Sequence, residues 1–395
     1  MTWAYVDAGV RLAPTGRGPL TGLRFAVKDV FDIEGRVTGA GCPAYAEGRG
    51  PAERTAPVIL RLIAAGAELR GVTVTEELMF GVLGQSGTGE APPNPKAPDR
   101  LPGGSSSGSA SAVAAGLCDV ALGTDTGGSV RVPASFCGIY GLRTGWGRVP
   151  ATGVVPLAPR FDTVGWFARE AAVLEAVTAV LLPEPVPAQR DKDRLWLPAE
   201  VLEGLEPALA RMIARAAEEA AEALGLALER RALGVARGDW GRAYKTLQGL
   251  ATWAVHGPWL REMRPDLGPI ARRRFEAAAA VDPAEGPGAE AVIRRLTAAV
   301  LPALDAGAVL VMPTTPGPAP RRDAVAAALE PVRAAILERT ALAGLLGLAE
   351  LSLPSLAHGG APVGLSLVGH GWDERRLVAM AARLAPALGR EKVTE

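Results

Sequence analysis

The feature that most constrains this chain is a pair of Gly/Ser clusters joined by a run of small residues. Gly103-Gly104-Ser105-Ser106-Ser107-Gly108-Ser109 is followed by the segment SASAVAAG from Ser109 to Gly116, and then by Gly123-Thr124-Asp125-Thr126-Gly127-Gly128-Ser129. A helix of Ser and Ala carries little side-chain bulk, so the middle segment suits burial against a sheet. Asp119 to Gly123 has the composition of a strand that delivers the second cluster. Glycines at such junctions permit positive φ and bring a substrate close to main-chain N–H groups, which then act as preorganised donors to an oxyanion. A serine closing the loop is placed as a nucleophile, although its hydroxyl is weak at neutral pH and needs a base. Taken singly, either cluster is equally well a turn.

The first 170 residues alternate β-rich and helical runs: a strand from Leu23 to Val27, a helix from Thr55 to Ala65, a strand from Ala67 to Val72. This pattern predicts an α/β fold, a mixed sheet covered by helices. From Glu170 to Val300 the texture becomes amphipathic and helical, as in Glu206 to Glu229, rich in Arg and Glu. Sheet character returns at Ala308 to Met312 and Val363 to Gly369, before a last helix from Glu374 to Leu388. The expected organisation is one domain over 1–395. A core formed by 21–170 and 301–395 would enclose a helical variable region, 171–300.

Charge and cysteine content exclude several functions. Lys plus Arg and Asp plus Glu both number 42, so no net charge draws the chain to nucleic acid or an anionic membrane. Cys42, Cys118 and Cys137 are odd in number and lack metal-ligand spacing, as expected for reduced, buried thiols in the cytosol. The N-terminal stretch lacks a basic start before an apolar core, and Ala171 to Leu182 is too short to span a bilayer. The expectation is a soluble cytosolic protein with a small-molecule partner, no nucleic acid, no membrane, and neither a metal nor an organic cofactor.

Three chemistries compete for the clusters. A phosphate-cradling loop needs Gly-Lys-Ser/Thr after the glycines, and neither cluster has it. Gly104-Ser105-Ser106-Ser107-Gly108 fits G-x-S-x-G, with Ser106 as an elbow nucleophile, but that design needs a downstream acid and histidine, and only His256, His358 and His370 exist. The third uses a lysine as base. Lys28 interrupts the apolar run Phe25-Ala26-Val27 at a strand end, where burial would leave it a neutral proton acceptor and exposure an ordinary surface charge.

The order Phe25-Ala26-Val27-Lys28-Asp29-Val30-Phe31-Asp32, GGSSSGSASAVAAG, GTDTGGSVRVPAS and GLRTGWGRVPATG resembles the amidase signature family over residues 21 to 170. The likeness resumes at Met312-Pro313-Thr314-Thr315-Pro316 and across Gly360 to Leu384. The resemblance implies the family's large mixed sheet covered by helices on both faces. It places the family's lysine on Lys28, its cis-peptide serine on Ser105 and its nucleophile on Ser129. It implies a proton relay from Ser129 through Ser105 to Lys28 that forms an acyl-enzyme. The main-chain amides of Thr126, Gly127, Gly128 and Ser129 become expected oxyanion donors, and Ser106 a supporting residue. Asp125 and Arg131 become scaffold, the aspartate fixing the glycine loop and the arginine pairing with a carboxylate.

Within that likeness, Ser107 stands where the family's common GGSSGGS loop has glycine. A subset acting on aryl-acetamides carries serine there and shares Phe136-Cys137-Gly138-Ile139-Tyr140-Gly141-Leu142-Arg143. A small aromatic amide is therefore the first expected substrate. Trp240, Tyr244, Trp253, His256 and Trp259 are candidates either to line its pocket or simply to pack. The alternatives are a glutamine-hydrolysing, transamidating subunit and a scaffold that has lost catalysis; retention of all three relay residues argues against the scaffold. Homodimers are frequent in the family.

Overall fold

The computed structural model describes residues 3–85, 90–184 and 193–388. Among the described residues eleven strands form one sheet: β1 (Tyr5–Asp7), β2 (Arg24–Lys28), β3 (Glu68–Thr73), β4 (Val120–Asp125), β5 (Tyr140–Arg143), β6 (Thr163–Ala168), β7 (Arg194–Trp196), β8 (Ala227–Glu229), β9 (Ala308–Pro313), β10 (Ala349–His358) and β11 (Ala361–Gly369). Their order is β1-β3-β2-β4-β6-β5-β10-β11-β9-β7-β8. The sheet is mixed. β2 runs parallel to β3 and β4, β7 to β8 and β9, and the strands between pair antiparallel.

Eleven helices are present among the described residues: α1 (Pro43–Ala46), α2 (Pro57–Ala64), α3 (Ser107–Ala114), α4 (Arg131–Cys137), α5 (Ala171–Leu181), α6 (Pro207–Leu224), α7 (Arg237–Met263), α8 (Pro269–Ala279), α9 (Gly286–Asp305), α10 (Ala326–Leu346) and α11 (Glu374–Leu388). Strand periodicity divides the core. Phe25 and Val27, Val120 and Leu122, and Trp166 share a cluster with Ile59 and Leu62 of α2 and Leu174 and Val177 of α5. Their alternating neighbours Ala26, Ala121 and Phe167 lie in another cluster with Ala110 and Val113 of α3 and Ala134 of α4. Each fully buried Phe, Leu or Val there contributes about 1.5–3 kcal/mol by leaving water.

The small residues of α3 let it lie directly on the strands. A Cβ at Gly108 would collide with the main chain of Ala4 and Val74. Ser109 hydrogen-bonds the Leu122 carbonyl at 2.9 Å and the Thr73 hydroxyl at 2.7 Å, so its polar group is satisfied inside the core.

The region expected to be helical and variable, 171–300, also holds two short strands. β7 and β8 lie within it and extend the same sheet beyond β9. Glu206 to Glu229 is not one helix, because Gly225 adopts φ +65° after α6 and the chain re-emerges as β8. Strands of three residues are too short to show alternation, which hid them in the sequence.

Candidate active site

Alternation along β2 turns Lys28 toward the face of Ala26, the one α3 covers. The amine is fully buried, and its Nζ lies 2.8 Å from both Ser105 Oγ and Thr124 Oγ1. It has no ion pair among the described residues. Burial pulls Lys28 down to about 7, against the opposing fields of Glu76, Asp125 and Asp162. A neutral amine keeps N–H donors for Thr124 and a lone pair for the Ser105 hydroxyl.

Ser105 follows Gly104 through a cis peptide bond, as the resemblance implied. Its carbonyl accepts the Glu76 N–H at 3.1 Å, and the next residue, Ser106, donates its N–H to the Ser129 carbonyl at 3.3 Å. The two Gly/Ser loops are thus joined main chain to main chain. The Ser129 hydroxyl, 3 % exposed at the residue level, donates to the Gly81 carbonyl at 3.4 Å. Lys28 and Ser105 are in direct contact, whereas Ser129 lies alongside with its hydroxyl bonded elsewhere.

The 126–129 loop owes its shape to Asp125. This carboxylate accepts the N–H groups of Gly128 at 2.8 Å, Val130 at 3.0 Å and Arg131 at 3.3 Å. It also pairs with the Arg131 and Arg143 guanidiniums at 2.8 and 3.1 Å. Burial alone would raise its carboxyl, but the two arginines outweigh burial and hold it far below the ordinary range. Arg131 continues to Glu350 on β10 at 2.6 Å, and Ser366 on β11 donates to Glu350 at 2.7 Å. The scaffold expected of Asp125 and Arg131 therefore extends across the sheet. Because the Gly128 N–H is committed to Asp125, the expected donor set narrows. The N–H groups of Thr126, Gly127 and Ser129 have no acceptor among the described residues.

The elbow reading finds no support. Ser106 Oγ donates to the Thr124 carbonyl at 3.3 Å and accepts the Thr124 N–H at 3.4 Å. His256 bonds the Pro156 carbonyl, His358 bonds Glu206 at the surface, and His370 stacks on Trp372. None reaches Ser106. The cysteines are free and buried, and burial pushes Cys42 up to about 11 and Cys118 up to about 12, which keeps them as thiols. No group of three or more His, Cys, Asp or Glu among the described residues is placed to hold a metal ion.

Of the five aromatic and histidine candidates, Tyr244 alone is brought against the glycine loop: a Cβ at Gly127 would lie 2.5 Å from its Oη. Trp240 bonds Val235, Trp253 stacks under Arg261, and Trp259 packs edge-on to Tyr45. Two charged residues beside the site had no sequence signal. Glu76 and Arg274, 3.2 Å apart, come from distant segments, and only the absence of side chains at Gly81 and Gly104 makes room for the Glu76 carboxylate.

A dry amine, two hydroxyl loops and a run of unclaimed N–H groups form a layout suited to acyl transfer. Comparison with known proteins specifies the class. The Amidase family model matches residues 5–203. "Amidase 1" of Oryza sativa subsp. japonica is 39% identical over 390 residues, covering 91% of this chain and 89% of that protein. The "Translocon at the outer membrane of chloroplasts 64" of Pisum sativum is 32% identical, covering 91% of this chain and 65% of that one. A solved structure described as "Crystal structure of amidase" superposes with TM-score 0.83 at 31% identity, covering 95% of this chain and 86% of the other. The chain belongs to the amidase signature family. It is an enzyme that hydrolyses amide C–N bonds. Among the described residues no helix is long and apolar enough to cross a membrane.

Proposed function

We propose that this protein hydrolyses a small carboxylic amide to acid and ammonia through an acyl-enzyme on Ser129. The contact between a fully buried Lys28 and the Ser105 hydroxyl carries the reading, because an amine pulled to about 7 is half unprotonated at neutral pH. Ser129 turns its hydroxyl from the Gly81 carbonyl toward Ser105. Lys28 takes the Ser105 proton and Ser105 takes that of Ser129, while Ser129 Oγ bonds to the amide carbon. The N–H groups of Thr126, Gly127 and Ser129 receive the oxyanion. Losing one such contact typically costs about 3 kcal/mol of barrier. Collapse breaks the C–N bond as Lys28, through Ser105, returns the proton to the leaving nitrogen. Water, deprotonated by the same relay, then releases the acid. No metal or organic cofactor enters these steps.

The acyl group read from Ser107 and the 136–143 run is an aryl-acetyl one. We read the chain as one amidase domain over 1–395, acting in the cytosol on a small molecule, with no nucleic-acid or membrane partner, as a monomer or homodimer. Ammonia release from a panel of aliphatic and aromatic amides, with glutamine included, tests the reading. Wild type should turn over at least one amide and yield a hydroxamate with hydroxylamine, while Ser129→Ala and Lys28→Ala lose nearly all activity. An active Lys28→Ala would refute the relay. Preference for glutamine would indicate a transamidating role, and an inert wild type would favour a scaffold.

A further inference from the structure

A cavity of about 520 Å³ lies away from the relay, between α5, α11 and the bend of β10, with Tyr140, Glu175, Pro354, Ala382 and Ala385 on its walls. That volume suits a small organic ligand. Its origin lies in the sequence. β10 pairs with β5 as far as Ser352 and Gly141, then shifts register between Leu353 and Leu356. Pro354, which has no N–H to give a ladder, stands in that shift. β10 therefore leaves β5 where Tyr140 begins it. Opposite, α11 offers the gap Ala382, Ala385 and Pro386, none of them large enough to fill it.

The walls carry polar groups with nothing to bind. Tyr140 is 4% exposed, and its hydroxyl has no hydrogen-bond partner among the described residues. Burial pushes it up, so it stays a neutral hydroxyl able to accept a bond. Unpaired polar groups on buried side chains are uncommon and mark strain or a ligand. Glu175, half-buried one turn into α5, has neither ion pair nor side-chain hydrogen bond among the described residues. Glu170 is likewise unpaired, but it stands at the N-cap of α5, where the helix dipole stabilises a carboxylate. Glu175, beyond the first turn, lacks that support. Pro386, inside α11, has no N–H for the carbonyl of Ala382 one turn earlier. Arg169, the cation on these walls, is committed to the Val113 and Cys118 carbonyls and to Asp119 at 3.9 Å. Unspent acceptors and a net negative charge suit a cation and repel an anion.

We propose that this cavity binds a small organic ammonium ion, a protonated primary alkylamine, with Glu175 as ion-pair partner and the Tyr140 hydroxyl and Ala382 carbonyl as hydrogen-bond acceptors. The ammonium head has three N–H donors, one for each. Its alkyl chain covers alanine and proline surface and leaves water with it. The site is distinct from the relay. Tyr140 packs in one cluster with Leu174 and Val177 of α5, on the sheet face opposite α3, and Arg143 at the other end of β5 is the residue that pairs with Asp125.

Calorimetric titration of the protein at neutral pH with hexylammonium chloride and with hexan-1-ol, its neutral counterpart, tests the site. Hexylammonium should bind about 10-fold more tightly than the alcohol, as expected for a charge-assisted contact on a half-buried carboxylate. Glu175→Gln should bring its affinity down to that of the alcohol and leave the alcohol's unchanged. Tyr140→Phe should weaken hexylammonium about 5-fold. An unchanged circular dichroism spectrum shows that each variant is folded, and Glu175→Gln should release ammonia from an amide at the wild-type rate. Equal affinity for the two probes, hexylammonium binding that survives Glu175→Gln, or no binding overturns the proposal. Tighter, Tyr140-dependent binding of hexanoate would assign the cavity to an anion and overturn it too.

Discussion

Replacing Lys28 by Met gives a direct measure of how dry the site is. The folded protein releases the Lys28 proton at about 7, whereas an unfolded chain holds it to the ordinary 10.5. Between those values the unfolded state binds one more proton, so wild-type stability rises with pH through that window. Below about 7 both states are protonated and the full penalty of burying the ammonium is present. Above 10.5 both are neutral and it is gone. At ~1.4 kcal/mol per pH unit the window amounts to about 5 kcal/mol. Lys28→Met keeps the bulk and removes the titration, so its stability lacks this slope, and other titrating groups cancel in the difference. Urea midpoints at pH 6, 7.5 and 9 should show the variant's advantage constant at the acid end and shrinking toward the alkaline end. A difference that is constant from pH 6 to 9 would mean that Lys28 is hydrated and not the proton acceptor proposed here.

Other substitutions separate chemistry from scaffold. Ser129→Ala should lower kcat by more than about 10³-fold with an unchanged circular dichroism spectrum, and Ser106→Ala, which loses bonds to Thr124 alone, should cost far less in rate. Arg131→Met should destabilise by about 3–5 kcal/mol, seen as a lower denaturation midpoint, because it leaves Asp125 and Glu350 short of a buried partner; a loss below 1 kcal/mol would contradict the network's role. Glu76→Gln removes a field that favours protonated Lys28, so the acid limb of kcat/KM should move below about 7, and an unmoved limb would assign it to another group.

The sequence disclosed what local chemistry dictates and concealed what long-range packing decides. Lys28, Ser105 and Ser129 stand in motifs whose glycines and order are unusual in combination, and the small residues of α3 announce its burial. Helix α11 runs from Glu374 to Leu388 as expected. The strand β10, ten residues long, escaped notice because Pro354 and Ser355 interrupt its alternation and its register shifts between Leu353 and Leu356. Among the site's neighbours, Glu76 sits beside a second glutamate, Glu77, and nothing local distinguishes the one paired with Arg274 from the one accepting the Gly268 N–H. Arg274 is the last of three consecutive arginines in α8, which look alike until tertiary packing selects the one paired with Glu76.

The acidity of Lys28 is a collective property. Three carboxyl groups, Glu76, Asp125 and Asp162, act on it, and each favours the protonated amine. Asp125 is compensated by Arg131 and Arg143 and Glu76 by Arg274, while Asp162, whose carboxyl burial raises, accepts bonds from Thr126, Leu157 and Ala158. Each carboxyl is thereby kept from acting as a strong counter-ion to the amine, and desolvation prevails. The same pairings fix shape: Asp125 gathers the loop N–H groups, and Glu76 holds Gly84 at 2.7 Å beside Gly104. Loop geometry and base strength therefore depend on the same ion pairs, so a substitution that frees any one carboxylate should disturb the nucleophile's position and the lysine's proton together.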